Sequence, residues 1–286
     1  MSRRLDADFI AGWDEWLQRV MRESREALGA HWLESFLSAP VWRFVVPAGM
    51  YSRTGWVGLL LPSVDRVGRY FPLTIAAPLH QDSIDVPATL ARALPWLDSI
   101  DALALEALQP ELDFDVFDQR LAGVSLPADL PVVSPPSDDT VPLGEAQSTF
   151  QVWQFAPDVP DETVTRVLTD PAGGLRASSG LWLTRGGETL PPCLAVCGGP
   201  VSGIQFCAML DGRWPDHSWT LAAAAPLIPP SPPSDTPERA NVTYCTPKNP
   251  GVDLIHGQGR GQGEAGPLTA PPGSANGADM NTGLEK

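Results

Sequence analysis

Residues 41–77 read VWRFVVPAGMYSRTGWVGLLLPSVDRVGRYFPLTIAA. Three runs inside this stretch are rich in aromatic and β-branched residues: Val41–Val46, Gly55–Leu61 and Arg69–Ala77. Each is bounded by Pro or Gly, the punctuation expected of strands. Pro47-Ala48-Gly49 supplies turn chemistry after the first run. Connections this short pair successive strands antiparallel, because a parallel pair needs a crossover. Leu59-Leu60-Leu61 does not alternate apolar with polar, so the second strand is expected to be covered on both faces.

Helices are expected to supply that cover. Upstream, Phe9, Trp13, Trp16, Leu17, Val20 and Met21 recur at spacings of three and four, which predicts an amphipathic helix over 6–28. Asp6 or Asp8 suits its N-cap and Gly29 its end. A short second helix is expected over His31–Ser38, with Pro40 stopping it. Downstream, a helical region runs from Pro87 to Leu108, with Pro95 expected to break or kink it, and another from Glu111 to Leu121. Residues 125–147 lose periodicity and gain Pro, Ser and Asp, the composition of a long loop or linker. Strands follow at Thr149–Phe155, Gly180–Thr184 and Leu190–Val196, the last two joined by a turn at Gly186-Gly187. Helices are expected at Asp161–Thr169 and Val201–Leu210.

The fold class predicted is α/β: a mainly antiparallel sheet flanked by helices in a sandwich. Four segments organise the chain: residues 1–124, the linker 125–147, residues 148–222 and a Pro/Gly-rich tail 223–286. Residues 148–222 either extend the first sheet or form a small second lobe. The tail is poor in apolar residues and is expected to be disordered.

Composition narrows the function. The chain has 286 residues, 43% of them hydrophobic, with ten Trp, which is ample material for a core. Its formal net charge of −15 opposes phosphate backbones and anionic lipid, so neither nucleic acid nor a membrane is the expected partner. No apolar run approaches the ~20 residues of a membrane span. Ser2-Arg3-Arg4 is similar to a twin-arginine signal, but Asp6, Asp8, Asp14 and Glu15 follow where such a signal is uncharged. A cytoplasmic location is therefore expected. Cys193, Cys197, Cys207 and Cys245 lack the spacing of a zinc site and read as reduced thiols, so no metal and no cofactor is expected.

An enzymatic reading needs a nucleophile with a base. Ser63, Asp65 and His80 are near in sequence, but no G-x-S-x-G elbow surrounds the serine. No phosphate loop occurs, and the only lysines are Lys248 and Lys286. Asp113, Asp115 and Asp118 read as the solvated side of a helix rather than a metal face. The chain is expected not to be an enzyme. The alternative is a small hydrolase or phosphate-handling enzyme using Asp65 with Arg66 and Arg69.

The Ser63–Thr74 segment carries two readings. It is either a displayed loop, with Ser63, Asp65, Arg66 and Arg69 offered to a partner, or an architectural turn locked by an Arg–Asp pair with Gly68 at an unusual backbone angle. The architectural reading is the commoner use of such a motif. Among the tryptophans, Trp13, Trp42 and Trp56 are expected in the core, while Trp16 and Trp32 fit a core or an interface.

Two strings carry a family resemblance. One is Ala39-Pro40-Val41-Trp42-Arg43-Phe44 followed by Pro62-Ser63-Val64-Asp65-Arg66-Val67-Gly68-Arg69-Tyr70-Phe71-Pro72-Leu73-Thr74. The other is Phe9-Ile10-Ala11-Gly12-Trp13-Asp14-Glu15-Trp16-Leu17. Together they resemble the N-terminal domain of the TagF family, also called ImpM, accessory proteins of bacterial type VI secretion systems. The resemblance implies a longin-like sheet-and-helix fold. It also implies a post-translational repressor that contacts a forkhead-associated scaffold protein of the machine. Members usually open with a strand bearing Gly-Lys-x-Pro-x-x-Gly-Asp-Phe, and Met1 falls just after the place where that string would end.

Overall fold

The computed structural model describes residues 3–65, 67–80, 84–109, 112–131, 150–169 and 179–222. Most of the linker expected at 125–147 and the whole tail 223–286 lie outside the described residues.

The chain begins with helix α1, Ala7–Leu28. The Asp6 carboxylate accepts the Asp8 N–H to cap it, and Gly29 closes it at φ 54°. A 3-10 turn leads into helix α2, Trp32–Leu37. Strands β1 (Trp42–Val46), β2 (Gly55–Leu61) and β3 (Leu73–Leu79) form an antiparallel meander. Helix α3, Val86–Glu106, runs unbroken through Pro95. Of the break or kink expected at Pro95, the break does not occur: buried Leu94, Trp96 and Leu97 anchor the helix on both sides of the proline, so tertiary packing overrides the lost hydrogen bond. Helix α4 is Phe114–Ala122, capped by Asp113. Strand β4 (Phe150–Gln154), helix α5 (Asp161–Thr169), strands β5 (Gly180–Thr184) and β6 (Cys193–Cys197), helix α6 (Gly203–Asp211) and strand β7 (Thr220–Leu221) complete the order.

The seven strands of the described residues lie in one sheet, in the order β3-β2-β1-β5-β6-β4-β7. Every pairing is antiparallel except β4 with the two-residue β7. The strands after residue 148 therefore extend the first sheet through the β1–β5 pairing. The alternation of a strand sends successive side chains to opposite faces. Trp42, Phe44, Val46, Trp56, Leu60, Trp182 and Ala195 join α1, α2 and α6 in one apolar core. Val45, Val57, Leu59, Leu61, Leu181, Leu183 and Leu194 join α3, α4 and α5 in the other. Strand β2 is buried along its whole length, as its unbroken leucines require.

The first core is dominated by aromatic rings. Trp13 lies 4.7 Å from Trp16, 4.8 Å from Phe44 and 5.0 Å from Tyr51, and Phe9 stacks on Trp56 at 4.0 Å. Trp16 and Trp32 are buried alongside Trp13, Trp42 and Trp56. Their indole N–H groups are satisfied inside, Trp16 by the Val201 carbonyl at 2.7 Å and Trp32 by the Ser24 hydroxyl at 3.1 Å.

Candidate functional site

The second conspicuous feature of residues 41–77 is the link between β2 and β3. It is a hairpin rather than the start of a strand. The expected strand over Arg69–Ala77 begins only at Leu73, because residues 63–71 close on themselves. The Ser63 carbonyl accepts the Phe71 N–H at 3.1 Å, and Val64 bridges Tyr70. Above them the Asp65 N–H donates to the Arg69 carbonyl at 3.0 Å, and the Asp65 carbonyl accepts the Gly68 N–H at 2.9 Å. Gly68 sits at φ 79°, a conformation that a Cβ makes costly.

The Asp65 side chain ties the tip. One carboxylate oxygen accepts the Val67 N–H at 3.0 Å and the Arg69 N–H at 2.9 Å. The other accepts Arg69 Nε at 2.6 Å. Donation from the Arg69 backbone, then from its guanidinium, holds the Asp65 carboxyl below the usual carboxylate range. The pair is exposed, not buried, with 80% of the Arg69 side chain open to solvent. The structure thus brings Ser63, Asp65 and Arg69 into one hairpin, with Arg66 outside the described residues. Ser63 takes part through its carbonyl, and its hydroxyl makes no hydrogen bond among the described residues.

The hairpin stands against α2. Tyr70 meets Trp32 and Phe36 edge-on, at 6.1 and 6.3 Å between ring centres. Trp32 and Phe36 stack at 4.9 Å, and the Arg25 guanidinium covers Trp32 at 4.1 Å. While that face of α2 is buried, Leu33 and Leu37 on its other side are exposed, and so are Val64, Val67 and Phe71 of the hairpin. Val67 is 76% exposed. Isolated exposed apolar residues are ordinary, but Val64, Val67 and Phe71 all fall within one turn of the chain.

A charge network with one buried member, Arg43, lies on the opposite face of the sheet. Arg43 projects from the second position of β1, and its side chain is 3% exposed. Its Nη2 lies 2.8 Å from Asp98 and 2.7 Å from Asp101, both on α3. Arg185 reaches Asp98 at 3.0 Å and Asp161 at 2.8 Å. Residue spacing does not announce this network; its one sign in the sequence is an arginine inside an otherwise apolar strand. Asp115 and Asp118, read as a solvated side of α4, take Arg3 at 2.8 Å and Arg4 at 2.7 Å. Cys193, Cys197 and Cys207 are buried and free. Burial raises all three thiols, Cys207 to about 11, which leaves them un-ionised at neutral pH. Among the described residues no helix is long and apolar enough to cross a membrane.

Residues 1–124 match the model of the TagF N-terminal domain, Type VI secretion system-associated. Over these 124 of its 286 residues the chain is similar to a TagF N-terminal domain. The hairpin, α2 and strands β1–β3 all fall inside the TagF domain, whereas β4–β7 follow it. A crystal structure of PA0076 from Pseudomonas aeruginosa PAO1 is similar at 28% identity and a TM-score of 0.59. The match covers 81% of this chain and 94% of that one, so the likeness extends past the TagF domain into the C-terminal half of the sheet. No curated protein matches the chain.

Proposed function

We propose that this chain is a TagF-family member and a non-enzymatic repressor of a type VI secretion machine, acting in the cytoplasm by binding a forkhead-associated scaffold protein of that machine. The observation that carries the reading is the exposure of Val64, Val67 and Phe71 on the one hairpin, with Val67 at its tip. Such a surface gains free energy when a protein partner removes it from water, about 25 cal/mol per Å² of apolar area. The hairpin is preorganised by Asp65, so little ordering cost falls on binding. Repression follows if the partner's inactive state binds better than its active one, since a ligand shifts an equilibrium only by that difference.

The hydrolytic alternative built on Asp65, Arg66 and Arg69 has less support. Both Asp65 oxygens are already engaged by hydrogen bonds within the hairpin. The test is calorimetric titration of the full chain with the full-length scaffold. A stoichiometric complex is expected, weakened about tenfold or more by Val67→Asp, which places a charge in a desolvated contact. A complex indifferent to Val67→Asp and Phe71→Ser removes the hairpin from the contact, and no complex at tens of micromolar removes the reading.

A further inference from the structure

The sheet ends differently on its two sides. At one side β7 is two residues long, and at the other β3 is a seven-residue edge. Its register with β2 pairs Leu59 with Ile75 and Gly58 with Ala76. The Ile75 carbonyl oxygen points towards β2, since a Cβ on Gly58 would stand 2.2 Å from it. In an antiparallel ladder alternate residues turn their N–H and C=O groups inward and outward. Leu73, Ile75, Ala77 and Leu79 therefore bond to β2, and Thr74, Ala76 and Pro78 face away. The position of Pro78 agrees, because a proline is tolerated where its missing N–H faces off the edge. The outward N–H and C=O groups of Thr74 and Ala76, and the Pro78 carbonyl, have no hydrogen-bond partner among the described residues.

A cavity of about 280 Å³ adjoins this row. Ala77, Leu79 and His80 line one side of it, and Leu126, Ala128 and Leu130 line the other. Leu126–Leu130 runs beside the edge without bonding to it, its nearest backbone tie being the Pro131 carbonyl accepting from Asp85 N–H. A row of free main-chain groups next to a largely apolar slot is the arrangement by which sheets recruit extended peptides. The main chain supplies affinity and the slot selects a side chain. Natural sheets blunt such an edge with charge, proline, a bulge or a covering loop; β3 carries no charged residue, and Pro78 and Leu126–Leu130 lie towards its Leu79 end, which leaves the Thr74 and Ala76 groups unblunted. The edge also continues directly from the hairpin, so one partner can reach both.

We infer that β3 is a strand-addition site: an extended, uncharged segment of the protein partner pairs with Thr74 and Ala76 and seats an aliphatic side chain between Leu79 and Leu130. The inference rests on the binding function above and names how the partner engages. Hydrogen exchange resolved to single amides tests it, with the full chain free and mixed with the full-length forkhead-associated scaffold. In the free chain the Thr74 and Ala76 amides exchange fast, while Ile75 and Ala77 are protected. In the complex Thr74 and Ala76 slow by about tenfold or more. Ala128→Glu, which leaves β3 untouched, is expected to weaken the complex about tenfold by charging the slot. A complex that forms with Thr74 and Ala76 still exchanging fast overturns the inference and leaves the binding function standing. Protection of both amides in the free chain, with a dimer mass by light scattering, assigns the edge to a second copy and also overturns it. Absence of any complex overturns the binding function and this inference together.

Discussion

Asp65 shows how one side chain determines whether a surface is rigid. Its carboxylate holds two N–H groups of the turn and the Arg69 guanidinium. Because its pKa is depressed in the folded chain, its contribution is full above the unfolded value of ~3.9 and is lost as pH falls through the lower folded value. The Val67 and Arg69 amide resonances are accordingly expected to hold steady down to about pH 4 and to move only below it. Arg69→Gln is expected to move that transition upward. A flat response in both chains would show that the turn does not depend on this carboxylate. Arg43 presents the opposite case. Its removal leaves Asp98 and Asp101 facing a vacated apolar position. Breaking a buried pair costs ~3–5 kcal/mol, and the two carboxylates keep some solvent, so Arg43→Ala is expected to cost about 2–3 kcal/mol by denaturant unfolding. Asp65 and Arg69 were legible because Asp-x-x-Gly-Arg is turn chemistry in its own right. The partners of Arg43 were not, since Asp98 and Asp101 come from a helix some 55 residues later and only the packing of α3 on the sheet brings them together.

Elements with a strong period or a clear cap were read closely. Helix α5 and strands β2 and β5 have the bounds that their apolar patterns suggested. Errors fell where local chemistry competes with tertiary structure. Pro191-Pro192 cannot donate to a ladder, so β6 begins at Cys193 rather than Leu190. Strand β7 has two residues and no sequence pattern to announce it. Pro95 is the sharpest case: it leaves the Ala91 carbonyl without its i+4 donor while α3 continues. Pro95→Ala restores that donor and is expected to stabilise the chain by about 1 kcal/mol, seen as a raised denaturation midpoint at unchanged slope. Gly12 is a matching close approach, where a Cβ would stand 1.9 Å from the Tyr51 carbonyl oxygen. Gly12→Ala must push α1 and the β1–β2 loop apart, at an expected cost of about 1–3 kcal/mol in the same measurement.

At the scale of the molecule, the sandwich follows from the central strands alone. A sheet whose middle strands are apolar on both faces needs helices on both, and the amphipathic stripes of α1 and α3 provide them. Whether residues after 148 would extend that sheet was undecidable from pattern, because pairing of β1 with β5 is a contact across 135 or more residues between strands that look alike in sequence. The open β3 edge was hidden for the same reason: an edge is a property of strand order, which no single run of residues contains.

The two cores are also unequal to the eye of a spectrometer. Trp13, Trp16, Trp32, Trp42, Trp56, Trp182, Trp214 and Trp219 belong to one face, and only Trp96 and Trp153 pack on the other. Ultraviolet emission from this chain is therefore a one-sided witness. It shifts to the red through eight of the ten indoles when the face beneath α1 opens to water, and answers only through Trp96 and Trp153 when α3 and α5 lift away.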